Sequence, residues 1–434
     1  MRVFSSKNND FFEFLKKRRI SRFAFQDDVQ KSLQEIRLDV INKGDEALSF
    51  YTKKFDCVLL SPSDFEVKAK EKNSALKKIP VEEKRILKDT IERVFKYHQN
   101  QGIKTWMTRE GSLITGQLVS PMAVAGIYVP GGKASYPSSV IMNSIPAKAA
   151  GVKEIVMATP PTGKLNDYII AAAVLCGVNK IFRVGGPMAV FALAYGTNTI
   201  PRVDKIVGPG NIYVAMAKKM VYGDVDIDMI AGPSEIAVVC DDSADPDNVA
   251  MDMMSQAEHD EMAISTLITH SEKLAGGVTK SLKNLITKEK RRDIIKKSLD
   301  SNSSIILTRA VDESIEIANR LAPEHLELYI ENPFDKLFLV KNAGAVFLGK
   351  NTPEAIGDYI AGPSHVLPTG GTARFFSPLD TLSFLKRTSV ISSDGEFLRE
   401  KAGEVDFFSK IEGLSAHGKS VSMRLKNKKP GNKL

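Results

Sequence analysis

The sequence predicts an α/β protein made of two doubly wound units, with a helical arm before them and a helical tail after them. Apolar runs of strand length alternate with helical patterns from about residue 112 to residue 348, as in parallel sheets covered by helices. The alternation falls into two series, one before and one after a helix predicted at 245–259. A chain of 434 residues is also too long for one simple core.

Domain boundaries follow from these changes of pattern. Residues 1–25 are mostly polar apart from scattered phenylalanines, and they form the predicted N-terminal arm. The first α/β domain is predicted to combine 26–126 with 235–380, and the second domain to span 127–234. Residues 381–434 form the predicted helical C-terminal tail.

The first quarter of the chain is predicted to be mainly helical. Residues 27–55 carry apolar side chains at helical spacing up to Gly44, which interrupts the pattern before a second helix. Pro80 opens a further helix that extends to about residue 99.

The two α/β series can be read element by element. In the first series the predicted strands are 113–119, 123–129, 154–158, 180–184, 205–207 and 236–240, and the helices are 138–150, 167–176, 189–195 and 212–221. In the second series, after the 245–259 helix, the predicted strands are 263–269, 304–307, about 326–330 and 345–348, and the helices are 271–284, 288–299 and 311–321.

Composition limits the classes of function. The apolar fraction of 43% and charged fraction of 26% are typical of a soluble globular protein. Much of the net charge of +8 comes from the basic stretch 418–434, which has no interleaved aromatics, so nucleic-acid binding is not expected. Three scattered cysteines favour a reducing cytoplasm. Neither a leader pattern nor a long apolar run is seen, so no membrane partner is predicted.

Glycine-rich turns close several of the predicted strands. Residues 126–132 (GIYVPGG), Gly185–Gly186 and 208–211 (GPGN) each end an apolar run and precede a helix, and 231–235 (AGPSE) follows another strand. Ligands of open α/β sheets bind at the carboxyl ends of strands, so these turns predict one edge that contacts a ligand. None of them is a dinucleotide fingerprint or a P-loop.

Histidines mark a second candidate site. Gln256 and His259 share a face near the end of the 245–259 helix, which suits the start of a zinc site, although two ligands cannot complete a tetrahedron. Asp358 precedes the glycine-bounded turn that carries His365, and His417 lies in another such segment. One histidine in such a place is more often structural, but several in glycine-bounded segments favour a site. Two others, His98 and His270, are predicted to be structural.

Glu324 and His325 form a candidate acid/base pair. Pro323 ends the preceding helix, which is predicted to leave the pair on a turn and free to point into a cleft. A carboxyl beside an imidazole is a natural unit for general acid–base catalysis.

Taken together, these motifs resemble those of the histidinol dehydrogenase family over roughly residues 30–425. The motifs occur in the order GIYVPGG, VGPGN, AGPSE, SQAEHD, APEHLEL, GDYIAGPSHVLPTGGTARF and EGLSAHG. The resemblance implies two Rossmann-like domains and a zinc-dependent, four-electron oxidation of L-histidinol to L-histidine through the aldehyde, with two NAD reduced. It also implies a homodimer in which the C-terminal tail reaches the partner's active site.

The resemblance also implies roles for individual residues. The acid/base pair would be Glu324 and His325. His325, as a base near neutrality, would take the proton of the alcohol, and Glu324 would activate the water that adds to the aldehyde. One zinc ion per chain would be held by Gln256, His259, Asp358 and His417 and would orient the substrate. The residues implied to contact substrate are Ser234, Gln256, His259, His325, Asp358, His365, Glu412 and His417. The residues implied to contact NAD are Tyr128 and Asn211.

One position departs from the family pattern. Met188 stands where the family usually has a glutamine that touches NAD, which puts cofactor affinity or preference in doubt unless a backbone contact or water compensates.

A related zinc- and NAD-dependent dehydrogenase of a sulfonated diol is the alternative function, but Glu412 suits a cationic amine and would repel a sulfonate. A non-catalytic scaffold would be expected to lack Glu324, His325 or the zinc ligands.

Overall fold

The computed structural model describes residues 1–8, 10–14, 26–131, 136–161 and 165–426. The chain divides into two compact units, each described here by itself. The larger unit comprises Met1–Gln101 and Met122–Phe384, and the smaller one comprises Gly102–Pro121 and the chain from Leu385 onward.

The strands define three sheets. In chain order they are β1 (Arg2–Ser5), β2 (Trp106–Glu110), β3 (Leu113–Pro121), β4 (Val124–Tyr128), β5 (Glu154–Ala158), β6 (Lys180–Phe182), β7 (Lys205–Val207), β8 (Asp226–Ile227), β9 (Glu235–Cys240), β10 (Ile264–Thr269), β11 (Ser304–Leu307), β12 (His325–Tyr329), β13 (Ala345–Leu348) and β14 (Leu385–Ser393). The larger unit contains a parallel sheet in the order β1-β11-β10-β9-β12-β13 and another in the order β6-β5-β4-β7-β8.

Both parallel sheets are wound in the same way. In the five-stranded sheet the chain starts at the central strand β4, adds β5 and β6 on one side, and returns to add β7 and β8 on the other. In the six-stranded sheet, apart from the N-terminal edge strand β1, it starts at β9 and passes outward through β10 and β11 before returning to β12 and β13. The predicted mixed α/β class with parallel sheets is therefore confirmed.

Helices connect the strands of the larger unit. They are Gln26–Lys43, Asp45–Asp56, Ala69–Lys78, Val81–Gln99, Pro137–Ala150, Asp167–Cys176, Gly186–Tyr195, Ile212–Val221, Pro246–Ala257, Glu272–Leu285, Arg292–Ser301, Val311–Leu321, Pro333–Lys336 and Glu354–Tyr359. Side-chain caps explain several starts: Asp245 accepts a hydrogen bond from the backbone N–H of Asp247, and Asn166 accepts one from that of Tyr168. Among the described residues, no helix has both the length and the apolar character needed to cross a membrane.

The smaller unit is an antiparallel sheet, β14-β3-β2, followed by the helices Gly395–Ile411 and Ser415–Lys426. Here the prediction of a wholly helical C-terminal tail is wrong, because Leu385–Ser393 pairs with β3 over nine residues. Its polar, β-branched sequence shows no strong apolar alternation, and its hydrogen-bonding partner lies far away in the chain.

The N-terminal arm also differs from the prediction. Residues Arg2–Ser5 form β1, which extends the six-stranded sheet by pairing parallel to Ser304–Leu307. Residues 10–14 are helical. The rest of the predicted arm, residue 9 and residues 15–25, lies outside the described residues.

Candidate functional site

The candidate catalytic residues lie at the amino end of β12. His325 is the first residue of that strand and is paired with Ile236 of β9. By contrast, the turns at 129–131, 183–185 and 208–211 follow the carboxyl ends of strands of the five-stranded sheet. The three glycine-rich turns therefore share one carboxyl edge as predicted, whereas Glu324 and His325 lie at the amino end of a strand. The segment 231–235 joins the two edges, because it runs from β8 into β9.

Glu324 and His325 are held in place from both sides. The helix Val311–Leu321 ends at Ala322, whose left-handed φ of 50° turns the chain into Pro323 and β12. The Oε2 atom of Glu324 accepts a hydrogen bond of 2.9 Å from the backbone N–H of Glu235. Both side chains are buried. The expectation that both residues lie on a turn is wrong for His325, which already belongs to the sheet.

Carboxylates surround the imidazole of His325. Its Nδ1 is 3.3 Å from the backbone oxygen of Glu235, 3.6 Å from Oε1 of Glu354 and 3.9 Å from Oε2 of Glu324. Its Nε2 is 3.7 Å from Oδ1 of Asp358 and has no hydrogen-bond partner among the described residues. Burial lowers the pKa of His325, but the charges of Glu354 and Glu324 raise it more, to about 10.

This pKa is higher than the near-neutral pKa expected of His325 from the sequence. The neighbouring carboxylates favour the imidazolium, because their charges stabilise a proton on the ring. A cation bound at Asp358 would oppose that effect. Burial also raises the pKa of Glu324, to about 8, so this carboxyl can exchange a proton near neutral pH.

A group of possible metal ligands lies beside this pair. His259, Glu354 and Asp358 each offer a ligand atom, and these atoms lie within 4.8 Å of one another. His259 follows the helix Pro246–Ala257, and the other two are one turn apart on the helix Glu354–Tyr359. The sequence reading missed Glu354. Its spacing of four residues from Asp358 was the available signal.

Gln256 completes the cluster on the side of the six-stranded sheet. Its side chain is fully buried, and its amide nitrogen is 2.8 and 2.9 Å from the two carboxylate oxygens of Glu354. An ionised carboxylate only accepts hydrogen bonds, so the NH₂ group of the amide faces Glu354 when Glu354 is ionised; burial raises the pKa of Glu354 to about 7. The same nitrogen is 3.2 Å from Nδ1 of His325. Gln256, His259, His325 and Asp358 are therefore brought together as predicted from the sequence.

His365 is also part of this arrangement. Its Nδ1 is 3.0 Å from the backbone oxygen of Asp358, and its Nε2 is 3.3 Å from the hydroxyl of Ser139. Ser139 belongs to the helix Pro137–Ala150, which follows β4 of the five-stranded sheet. Ser234 directly precedes β9, and its carbonyl accepts a hydrogen bond from Ile264. The two sheets thus contribute residues to one region.

The candidate cofactor residues lie at the carboxyl edge of the five-stranded sheet. Tyr128 ends β4, and its buried hydroxyl accepts a hydrogen bond of 3.1 Å from the backbone N–H of Gly186. Asn211 is exposed, and its side-chain oxygen caps the helix Ile212–Val221. Met188 is fully buried in the core of this unit, so its side chain does not reach the surface. Its effect on NAD stays a prediction.

A buried ion pair lies beneath the turn at 208–211. Lys218 and Asp228 form a salt bridge in which the two side chains are 3% and 1% exposed. The ammonium of Lys218 donates to the carbonyl of Gly208, and Asp228 accepts the N–H of Gly208 at 2.8 Å. Gly208 has a φ of 120°, and a Cβ there would lie 2.0 Å from the carbonyl oxygen of Tyr128. The pair holds both polar atoms of a backbone that only glycine can adopt.

Two predicted site residues belong to the smaller unit. Glu412 follows the helix Gly395–Ile411, and His417 lies in the first turn of the helix Ser415–Lys426. Both residues are exposed. The larger unit by itself therefore supplies three of the four predicted zinc ligands.

Comparison with known proteins points to one family. The sequence matches the family model described as histidinol dehydrogenase over residues 20–425. The curated histidinol dehydrogenase of Geobacter sulfurreducens is 50% identical over 402 residues, covering 92% of this chain and 94% of that protein. That of Syntrophotalea carbinolica is 48% identical over 401 residues, covering 92% and 93%. The crystal structure of histidinol dehydrogenase from Elizabethkingia anophelis superposes with a TM-score of 0.87 at 35% identity, covering 92% of each chain.

Proposed function

Because this chain belongs to the histidinol dehydrogenase family, we propose that it oxidises L-histidinol to L-histidine through the aldehyde, with reduction of two NAD. The observation that carries the proposal is the buried Glu324–His325 pair next to the possible ligand atoms of His259 and Asp358. An acid/base pair beside a metal site is what such an oxidation requires.

The residues present fit one zinc ion per chain. Imidazole nitrogen from His259 and oxygen from Asp358 and Gln256 are donors that zinc accepts, and His417 would supply a fourth. Bound zinc would hold the imidazole and amino groups of the substrate, so its contribution is orientation. Manganese or cobalt could use the same donor set.

His325 is the proposed base in both oxidations. When Nδ1 donates to the carbonyl of Glu235, Nε2 is left to take the proton of the substrate alcohol. Glu324 would then take a proton from the water that adds to the aldehyde, and His325 would act again on the hydrate. Bound NAD would accept the hydride of each oxidation. Tyr128 and Asn211 are the proposed contacts to NAD, and Ser234, His365 and Glu412 are further proposed contacts to substrate.

We further propose a homodimer with shared sites in the cytoplasm. The smaller unit exposes a row of large apolar side chains around Glu412, namely Phe407, Phe408, Ile411 and Leu414. Covering such a row in a dimer would bring Glu412 and His417 to the partner's larger unit. All three cysteines are free, as suits a reducing compartment.

The alternative, a dehydrogenase of a sulfonated diol, is not favoured. The match to histidinol dehydrogenases extends over most of the chain, and Glu412 would repel a sulfonate. The direct test is to incubate the purified protein with L-histidinol and NAD and to follow NADH absorbance. We expect two NADH per substrate consumed and little free aldehyde. One NADH per substrate, with aldehyde released, would contradict the four-electron reaction.

A further inference from the structure

Glu354 is a buried carboxylate for which the proposed reaction has no role. Its side chain is 3% exposed, and its backbone N–H donates a hydrogen bond of 2.9 Å to Oε1 of Glu327. This hydrogen bond fixes the backbone of Glu354 at the first residue of the helix that also carries Asp358. Both side-chain oxygens of Glu354 lie within hydrogen-bond distance of one atom, the amide nitrogen of Gln256. A buried carboxyl group with such a well-defined partner calls for an explanation.

The contact decides which end of the Gln256 amide faces away from Glu354. Only the carbonyl oxygen of an amide can bind a metal ion, since the NH₂ group has donors alone. A glutamine that rotates freely would present either end. The Glu354 carboxylate removes this freedom, because it attracts the NH₂ group and repels the oxygen.

We propose that Glu354 is a positioning residue for the metal site: it binds the NH₂ group of Gln256 and thereby directs the amide oxygen toward the metal. This inference rests on the proposed zinc site. Groups that orient the ligands of a metal in this way typically contribute 10- to 100-fold to its affinity. The amide distances of 2.8 and 2.9 Å are those of charge-assisted hydrogen bonds.

The main competing explanation is that Glu354 binds the metal itself. Its ligand atom lies within 4.8 Å of those of His259 and Asp358, so geometry permits this. The two roles differ in their dependence on Gln256. A positioning residue acts only while Gln256 is present, whereas a ligand acts without it.

The test measures zinc affinity of the full-length protein without substrate, by competition with a chelator of known affinity. The variants are Glu354→Gln, Gln256→Ala and the double variant. Glu354→Gln keeps the size of the side chain but can present an oxygen or an NH₂ group to Gln256, so the preference is lost. Glu327→Gln is the matched control, because it also removes a buried carboxylate but one that contacts the backbone of Glu354.

We expect Glu354→Gln to weaken zinc binding 10- to 100-fold and Glu327→Gln by less than about 3-fold. In the Gln256→Ala background, Glu354→Gln should cause no further loss. The thermal midpoints of the metal-free Glu354→Gln and Glu327→Gln variants should agree, which separates orientation of the ligand from damage to the fold.

Other outcomes would overturn the proposal. If the wild-type protein binds zinc and Glu354→Gln binds it equally well, the positioning role fails while the zinc site stands. If the losses from the two substitutions multiply, Glu354 acts on the metal directly. A wild-type protein that binds no zinc would overturn the zinc site and the role of Glu354 together.

Discussion

Replacing Lys218 by Met should destabilise the larger unit far more than most single substitutions. The change keeps the apolar stem but removes the ammonium, which leaves Asp228 buried with a side chain only 1% exposed. Breaking a buried ion pair in this way costs about 3–5 kcal/mol. The lower end of that range is expected, because Asp228 still accepts the backbone N–H groups of Gly208 and Met229.

The neighbouring pair Lys205–Asp226 is the matched control. Lys205 of β7 and Asp226 of β8 are paired in the same sheet, and Nζ of Lys205 is 2.6 Å from Oδ2 of Asp226. The Asp226 side chain, however, is 41% exposed. Water can therefore solvate the surviving carboxylate in Lys205→Met, and the cost should be at most about 1 kcal/mol. The degree of burial of the remaining charge is the main difference between the two variants.

Calorimetric melting of the metal-free protein measures the difference. For a unit of roughly 360 residues that unfolds cooperatively, Lys218→Met should lower the midpoint by about 4–5 °C and Lys205→Met by no more than about 1.5 °C. Adding Asp228→Asn to Lys218→Met should restore part of the loss, since the uncompensated charge is then removed. Equal shifts for Lys218→Met and Lys205→Met would refute the reasoning.

Further predictions concern the proposed chemistry. Glu324→Gln keeps the shape but not the base, so it should slow oxidation of the aldehyde more than oxidation of the alcohol in stopped-flow assays; a defect in the alcohol step alone would contradict this role. Glu412→Gln should raise KM for histidinol much more than KM for NAD, and equal changes would argue against contact with the substrate amine. Chelation should abolish turnover, and added zinc should restore it. Full activity of a protein that elemental analysis finds to be metal-free would contradict this prediction. Mixing inactive Glu324→Gln and His417→Ala chains should restore roughly a quarter of wild-type activity if the sites are shared between subunits. If a tag on one partner proves that subunits have exchanged and no activity returns, the sites are not shared.

Local patterns in the sequence predicted much of this fold. The helix at 245–259 and the strand at 304–307 could be placed within a few residues, because periodic burial is a property of neighbouring residues. The same holds for the Gly208 turn, where a left-handed backbone requires glycine. Glu324 and His325 stood out for a similar reason, since Pro323 separates them from the preceding helix.

Contacts between distant segments could not be predicted in this way. The strand Leu385–Ser393 exists because it pairs with β3, more than 250 residues earlier, and its own sequence carries little strand pattern. The burial of Met188 and the pairing of Lys218 with Asp228 likewise depend on how helices pack on the five-stranded sheet.

The site itself shows the same division. Its residue types were evident from short motifs, because acid/base chemistry and metal binding each need particular side chains. Tertiary packing alone places Glu354 against Gln256 and carboxylates around His325. Charge, burial and hydrogen bonding across space set the pKa values and ligand orientations there, and these depend on distances that adjacent residues in a sequence do not encode.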